Sequence, residues 1–307
     1  MSQKEVVICS AVRTPVGSFQ GALSSFSASD LGGVVVAEAV KRAGAKPGDV
    51  ERVILGNVLP AGMGQAPARQ AVIKSGLPVS VGAITINKVC GSGLQAVMFA
   101  RREILVGDAE TLVAGGMESM TNAPYVLPQA RGGYRMGNGQ IIDSMIHDGL
   151  WDPYDNLHMG HCGDAVAAKY NFTREDQDKF AADSYKRAQA AQQEGRFKEE
   201  IIPVTVKTKK GDTLVDEDEE PKRVQLDKMA GLRPALQQPV HDGAALRAVA
   251  GTGERHHEEG AGGRQAGVRV GQDQAGRHRR HGKAEVALQA RGHALGRVDR
   301  AARARQH

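Results

Sequence analysis

Ile84-Thr85-Ile86-Asn87-Lys88-Val89-Cys90-Gly91-Ser92-Gly93-Leu94, continuing through Val97 and Met98 to Leu105, is the stretch whose reading decides the fold. A β-branched run meets a cysteine, Gly91 and Gly93 follow, and Leu94, Val97, Met98 and Leu105 then recur at helical spacing. The pattern predicts a strand, a sharp turn and a helix. A thiol at such a junction has helix N–H groups and the positive end of the dipole beside it, which favour thiolate over thiol. The two glycines let the backbone bend tightly and let a carbonyl approach the amides. Both features suit a nucleophile that accepts an acyl group. The same residues also describe a buried cysteine ahead of a flexible turn, and the local pattern does not choose between the two.

Working outward, the first 120 residues alternate strand and helix signals. Val6-Val7-Ile8 is a strand candidate. Asp30 is positioned to cap a helix carrying Leu31, Val34, Val35 and Val40 that ends near Ala43-Gly44. Val53–Leu55 reads as a strand, Ala66–Ser75 as a helix, Ile84–Ile86 as a strand and Leu112–Ala114 as another. Repeated alternation of this kind predicts an α/β layered domain with a mostly parallel sheet.

Residues 121–234 read differently. A Gly- and Pro-containing excursion runs from Asn122 to Pro153, and excursions beyond about 12–15 residues inside a compact protein are usually functional or disordered. Thr173 and Asp176 form a capping pair for a helix through Phe180 and Ala188 to Gly195, and Ile201–Val206 alternates like a strand. The run Asp216-Glu217-Asp218-Glu219-Glu220 reads as a solvated turn.

With 41% hydrophobic and 24% charged residues, the 307-residue chain has an ordinary globular composition and room for about two domains. No apolar run reaches the roughly 18 residues of a membrane span, and no signal peptide is recognisable at the N-terminus, so the expected location is cytoplasmic with no membrane partner. Cys9, Cys90 and Cys162 form no paired framework. His158, His161 and Cys162 lie close in the chain without a fourth ligand at zinc-like spacing, so no metal is expected.

The net charge of +5 sits largely after Pro234. From Ala235 to His307 there is no Phe, Tyr, Trp, Ile, Asn, Ser or Cys, while Arg, His, Gly, Ala and Gln dominate. Three readings of this tail stand. It is a basic arm for a polyanion, although it lacks the stacking aromatics of single-strand binders and nucleic acid is not the expected partner. It is ordinary disorder. Or, the preferred reading, it is the product of a shifted reading frame in a GC-rich gene, expected to form no packed domain.

Three separated segments resemble the thiolases, the acetyl-CoA acetyltransferase family. Asn87-Lys88-Val89-Cys90-Gly91-Ser92-Gly93-Leu94 resembles the nucleophile segment. Arg13-Thr14-Pro15 with Gly17, Phe19, Gly21 and Leu23 resembles the N-terminal signature, and Gly115-Gly116-Met117-Glu118-Ser119-Met120 resembles the next motif. The resemblance runs to about Pro234 and stops.

It implies a thiolase-like layered fold, with residues 1–120 as the N-terminal half, 121–234 as an inserted loop domain that covers coenzyme A, and 235–307 in place of a missing second half. It implies that Cys90 is the catalytic nucleophile of acyl-CoA acyl transfer, that His158 and Met159 flank the pantetheine end of the substrate, and that Lys222 or Arg223 meets its phosphates. His161-Cys162-Gly163-Asp164 departs from the family pattern and leaves the acyl-chain preference open. Coenzyme A thioesters are then substrates, with no cofactor, and the family implies a homo-oligomer where the full fold forms.

The family also uses a Gly-His-Pro segment, an Asn-Glu segment and a second Cys in Cys-x-Gly, none of which occurs here. Two expectations follow. One is a thiolase-type acyltransferase whose own turnover is in question. The other is a catalytically incomplete thiolase fragment that binds acyl-CoA or a partner subunit.

Overall fold

The computed structural model describes residues 5–209, 211–233 and, for the backbone, 285–291. In chain order the elements are β1 (Glu5–Val12), α1 (Ala28–Arg42), β2 (Arg52–Gly56), α2 (Pro67–Lys74), β3 (Gly82–Ile86), α3 (Ser92–Val106) and β4 (Thr111–Gly116). Then come β5 (Tyr125–Val126), β6 (Ile142–Asp143), α4 (Ser144–Gly149), β7 (Trp151–Asp152), β8 (Leu157–His158), α5 (Met159–Lys169) and α6 (Arg174–Gln193). The last are β9 (Val204–Thr208), β10 (Gly211–Val215), α7 (Glu220–Arg223) and β11 (Glu285–Arg291). Two compact units result. The first holds residues up to Gly149, Lys186–Val224 and β11, and the second holds Leu150–Tyr185 and residues 225–233.

The first unit is built on one sheet of order β1-β11-β4-β2-β3. β2 runs parallel to β3 and to β4, as the strand–helix alternation predicts. β11 runs antiparallel to both β1 and β4, so the sheet is mixed rather than mostly parallel. That strand comes from the stretch expected to form no folded domain. The rest of 234–307 lies outside the described residues, and with it most of that expectation.

Successive residues of a strand face opposite sides, and β2 and β4 feed two cores by that alternation. Val53, Leu55 and Val113 pack with Val36, Ala39 and Val40 of α1 and with Ala71 and Val72 of α2. Ile54, Leu112 and Ala114 pack with Ala96, Ala100 and Ile104 of α3. The layers are helix, sheet, helix. α3 therefore lies where the periodicity predicts but buries a different face. Leu94 and Met98, large members of the apolar spacing, are exposed, and the sheet is met by alanines because small side chains allow close helix–sheet approach.

The start of α1 also corrects the sequence reading. Ser27, not Asp30, is the N-cap, and Asp30 is its reciprocal partner: Asp30 N–H donates to Ser27 Oγ at 3.2 Å and Ser27 N–H to Asp30 Oδ2 at 2.9 Å. At α6 the capping pair holds as expected, with Thr173 N–H donating to Asp176 Oδ2 and Asp176 N–H to Thr173 Oγ1. The helix closes at Gln193. The strand expected at Ile201–Val206 is shifted, with β9 at Val204–Thr208 forming a hairpin with β10. The 122–153 excursion carries short pieces of structure, including the β5–β6 pair and α4.

The acidic run is solvated only in part: Asp216, Glu217 and Glu220 are exposed, whereas Asp218 and Glu219 are bound by the N-terminal loop. Asp218 accepts from Arg13 Nη1 and Nη2 at 2.6 and 2.9 Å and from Val16 N–H at 2.8 Å. Glu219 accepts from Ser18 N–H at 2.7 Å and from Ala22 N–H at 3.1 Å. Arg13 also donates through Nε to Glu200 at 2.9 Å and lies 5.2 Å from the centre of the Phe197 ring. Burial disfavours the charged guanidinium, but Asp218 and Glu200 outweigh that and hold its pKa above the ordinary arginine value. A Cβ at Gly21 would sit 2.9 Å from the Ser18 carbonyl oxygen and 2.4 Å from Glu219 Oε2, so the loop closes on Glu219 most easily with a glycine there. The N-terminal loop and the acidic run are thus one structure, joined across about 200 residues of chain.

In the second unit, β7 and β8 pair antiparallel ahead of α5. Arg174 Nη2 donates to the carbonyl of Leu232 at 3.0 Å.

Candidate functional site

The parallel strands β3, β2 and β4 end side by side, and in open α/β sheets ligands bind beyond such carboxyl ends. Asn57 N–H donates to Ile86 O at 3.0 Å and Met117 N–H to Gly56 O at 2.9 Å, so the three chain ends stay joined just past the sheet. From β3 the chain turns at Asn87–Gly91 and enters α3. Gly56 makes the junction possible, because a Cβ there would lie 2.5 Å from Ser92 Cβ and 2.8 Å from the Ser92 carbonyl carbon. The first turn of α3 therefore rests directly on the end of β2.

Cys90 sits on this turn and is exposed. Val89, immediately before it, has φ +46, a left-handed conformation rarely adopted by a β-branched residue. Ser92, only 4% exposed, holds the turn from within: it accepts from Lys88 N–H at 2.8 Å and donates to Val89 O at 2.7 Å. Gly91 N–H donates to Lys88 O and Ser92 N–H to Val89 O, so the amides nearest the sulfur on the helix side are already engaged. Gly91 is the N-cap, and no side chain caps the helix from that position.

Three residues outside the expected set complete the arrangement. Asn87 Oδ1 accepts from Val89 N–H at 2.9 Å, and Asn87 Nδ2 donates to Val58 O at 3.3 Å. Glu118 accepts from Val58 N–H at 2.7 Å, from Leu59 N–H at 3.3 Å and from Asn57 Nδ2 at 2.8 Å. Asn57 gave no local signal and Glu118 stood only within a resembling segment with no role given, since their partners lie about 60 residues away. Asn87, two residues before Val89, carried one: Asn bonds the backbone two residues on in tight turns.

Lys222 and Arg223 also belong to the first unit, on α7. Each meets a carboxylate of its own run, Lys222 with Glu217 and Arg223 with Glu220 at 3.6 Å, and both are largely exposed. His158 and Met159 belong to the second unit. His158 is the N-cap of α5, its Nδ1 accepting from Gly160 N–H at 3.0 Å, and Met159 is exposed. The imidazole thus has a local structural job that spacing did not suggest. Cys162 is half-buried, and burial, followed by the charges of Asp152 and Asp155, pushes its thiol pKa up. Among the described residues no three metal-ligating side chains come together, and no helix is long and apolar enough to cross a membrane.

Comparison with known proteins adds a second line. The family profile described as thiolase, N-terminal domain, matches residues 6–246. An acetyl-CoA acetyltransferase of Cupriavidus necator is 54% identical over 234 residues, covering 76% of this chain and 60% of the relative. One from Pseudomonas aeruginosa is 51% identical over 235 residues, with the same shares. One from Yarrowia lipolytica is 47% identical over 253 residues, covering 79% of this chain and 63% of the relative. The chain spans about 60% of the length of these curated relatives.

Proposed function

The chain belongs to the thiolase family, and from that premise we propose that it handles acyl-CoA thioesters with Cys90 as the acyl acceptor. The observation that carries this reading is the placement of Cys90: exposed, on a left-handed turn, at the N-terminal end of α3 and beyond the carboxyl ends of β2, β3 and β4. In the proposed step the Cys90 thiolate attacks the thioester carbonyl. A new carbon–sulfur bond forms, the bond to the coenzyme A sulfur breaks, and coenzyme A leaves as its thiolate. The positive end of a helix dipole stabilises negative charge within its first turn.

Thiolysis or Claisen condensation is the reaction class that the premise supports. In the condensing direction, the enolate carbon of a second acyl-CoA attacks the acyl-Cys90 carbonyl and releases the Cys90 thiolate. The α-proton must first pass to a positioned base, and such groups contribute typically about 10²–10⁴-fold. These 307 residues contain no cysteine after Cys162 and no histidine followed by proline. That observation favours a second reading, in which this polypeptide binds acyl-CoA or a partner subunit and is acylated without turning over.

His158 and Met159 on the pantetheine arm, Lys222 or Arg223 on the phosphates, residues 121–234 as the covering domain, a cytoplasmic location and a homo-oligomer are further parts of the proposal.

Incubation of the purified chain with acetyl-CoA, followed by peptide mass spectrometry, should find the acetyl group on Cys90 and lose it in C90S. Steady-state cleavage of acetoacetyl-CoA with free coenzyme A separates the two readings. Turnover that disappears in C90S supports the acyltransferase, label without turnover supports the incomplete chain, and absence of label in the wild type refutes both as stated.

A further inference from the structure

The turn that carries Cys90 is held in a conformation its own sequence disfavours. Val89 is β-branched and left-handed, and such residues persist only where their surroundings over-determine them. Its carbonyl is held by Ser92 through both the hydroxyl and the amide. Its amide is held by Asn87 Oδ1. The same Asn87 side chain reaches in the other direction to Val58 O. Val58 is in turn fixed by Glu118, which accepts hydrogen bonds from Val58 N–H, Leu59 N–H and the Asn57 side chain, itself 1% exposed. A continuous path thus leads from the end of β4, through the loop after β2, to the residue that precedes the cysteine.

We propose that Asn87, anchored by the loop that Glu118 clamps, is the positioning residue that keeps Cys90 in its reactive conformation. The inference rests on the reading of Cys90 as the acyl acceptor and adds what sets its reactivity. Only an amide does both parts of this work, since the oxygen must accept from Val89 N–H while the nitrogen donates to Val58 O. Aspartate keeps the first bond and lacks the second donor. Alanine has neither. When Asn87 is lost, Val89 keeps its carbonyl bonds to Ser92 but its amide is released, which loosens the hold on its left-handed φ and on the direction of Cys90.

The test uses the full chain and a ratio internal to it. Iodoacetamide reacts with Cys90 and with exposed Cys9 of β1 in one tube, and peptide mass spectrometry gives both rates. In N87A the Cys90 rate should fall by about 3- to 10-fold, the scale of the lost bond to Val89 N–H, with the Cys9 rate unchanged and a cooperative melt retained. N87D keeps the acceptor for Val89 N–H but loses the donor to Val58 O, so its Cys90 rate should stay below wild type. E118Q should lower the Cys90 rate by about 2- to 3-fold through the same path. A Cys90 rate in N87A equal to or above wild type, or a wild-type rate in N87D, overturns the proposal. If N87A loses its melting transition, E118Q decides alone, and an unchanged Cys90 to Cys9 ratio there overturns it. Acetyl-CoA labelling of the wild type is scored separately: a chain that takes no acetyl label while N87A still slows alkylation refutes the proposed function and leaves the positioning role standing.

Discussion

Replacing Asp218 by alanine tests the joint between the N-terminal loop and the acidic run. The Arg13 side chain is 6% exposed and Asp218 13%, so the pair is held away from water. D218A removes two of the guanidinium's hydrogen bonds and leaves it with Glu200, the carbonyl of Thr14 and the Phe197 ring. Breaking a buried pair by deleting one partner typically costs about 3–5 kcal/mol, because the remaining charge stays desolvated. With Glu200 still in place the expected loss is about 3 kcal/mol. With a urea m-value near 3 kcal/mol/M that is a fall of about 1 M in the unfolding midpoint. The probe must be far-UV circular dichroism or hydrogen exchange in α1 and α2, since the one tryptophan, Trp151, lies in the other unit and its fluorescence reports elsewhere. E217A is the control. Its partner Lys222 is 59% exposed, and such pairs contribute about 0–1 kcal/mol. A D218A shift no larger than that of E217A would refute the claim that the acidic run is a structural partner of Arg13.

Four further outcomes are expected. G56A should destabilise the first unit by about 1–3 kcal/mol in urea unfolding, because the new Cβ meets Ser92 backbone rather than a flexible side chain, whereas G48A, with open space around it, should stay within about 0.5 kcal/mol. Burial would raise the Asp30 pKa, but Lys74 and Ser27 hold it below the usual carboxylate range, so its stabilisation is present above the unfolded value near 3.9 and is lost as pH falls through the folded value. D30N should therefore be less stable than wild type at neutral pH, by under about 1 kcal/mol for so exposed a pair, and should converge with it in acid denaturation profiles below pH ~3. Cys162, with its raised pKa, should be alkylated more slowly at neutral pH than exposed Cys90, and a faster Cys162 adduct would contradict the assignment of Cys90 as the reactive thiol. Leu288 pairs with Ile8 on one side and Leu112 on the other, so L288P should cost about 1–3 kcal/mol and expose β1 and β4 amides to hydrogen exchange; unchanged protection would place 285–291 outside the sheet.

What was legible in the residues, and what was not, divides by the range of the interactions. β2, β3, β4 and the helices between them follow from local periodicity, and Thr173 with Asp176 follows from a three-residue spacing. The role of Asp218 and Glu219 was not local at all. A run of five acidic residues looks solvated until Arg13 and the amides of residues 16–22 are brought against it, and nothing within the run announces a partner about 200 residues upstream. β11 was missed for another reason, since Val286, Leu288 and Ala290 do alternate along Glu285–Arg291 but stand inside a stretch of Arg, His, Gly and Gln, and the ladders with β1 and β4 join residues far apart in the chain.

α3 shows a subtler limit, because both its existence and its start were readable while its orientation was not. Hydrophobic size suggested a buried stripe through Leu94 and Met98, which are 70% and 42% exposed, while Ala96, Ala100 and Ile104 face the sheet. The error has a physical source. A helix whose first turn rests on Gly56 runs close to the strands, and close approach selects alanine over leucine on the contact face. The same closeness fixes the position of Ser92, and Ser92 holds the carbonyl of Val89. The small residues that hid the buried face of α3 are therefore part of what aims Cys90, and a substitution that enlarges Ala96 should disturb the thiol's reactivity from inside the core before it unfolds the chain.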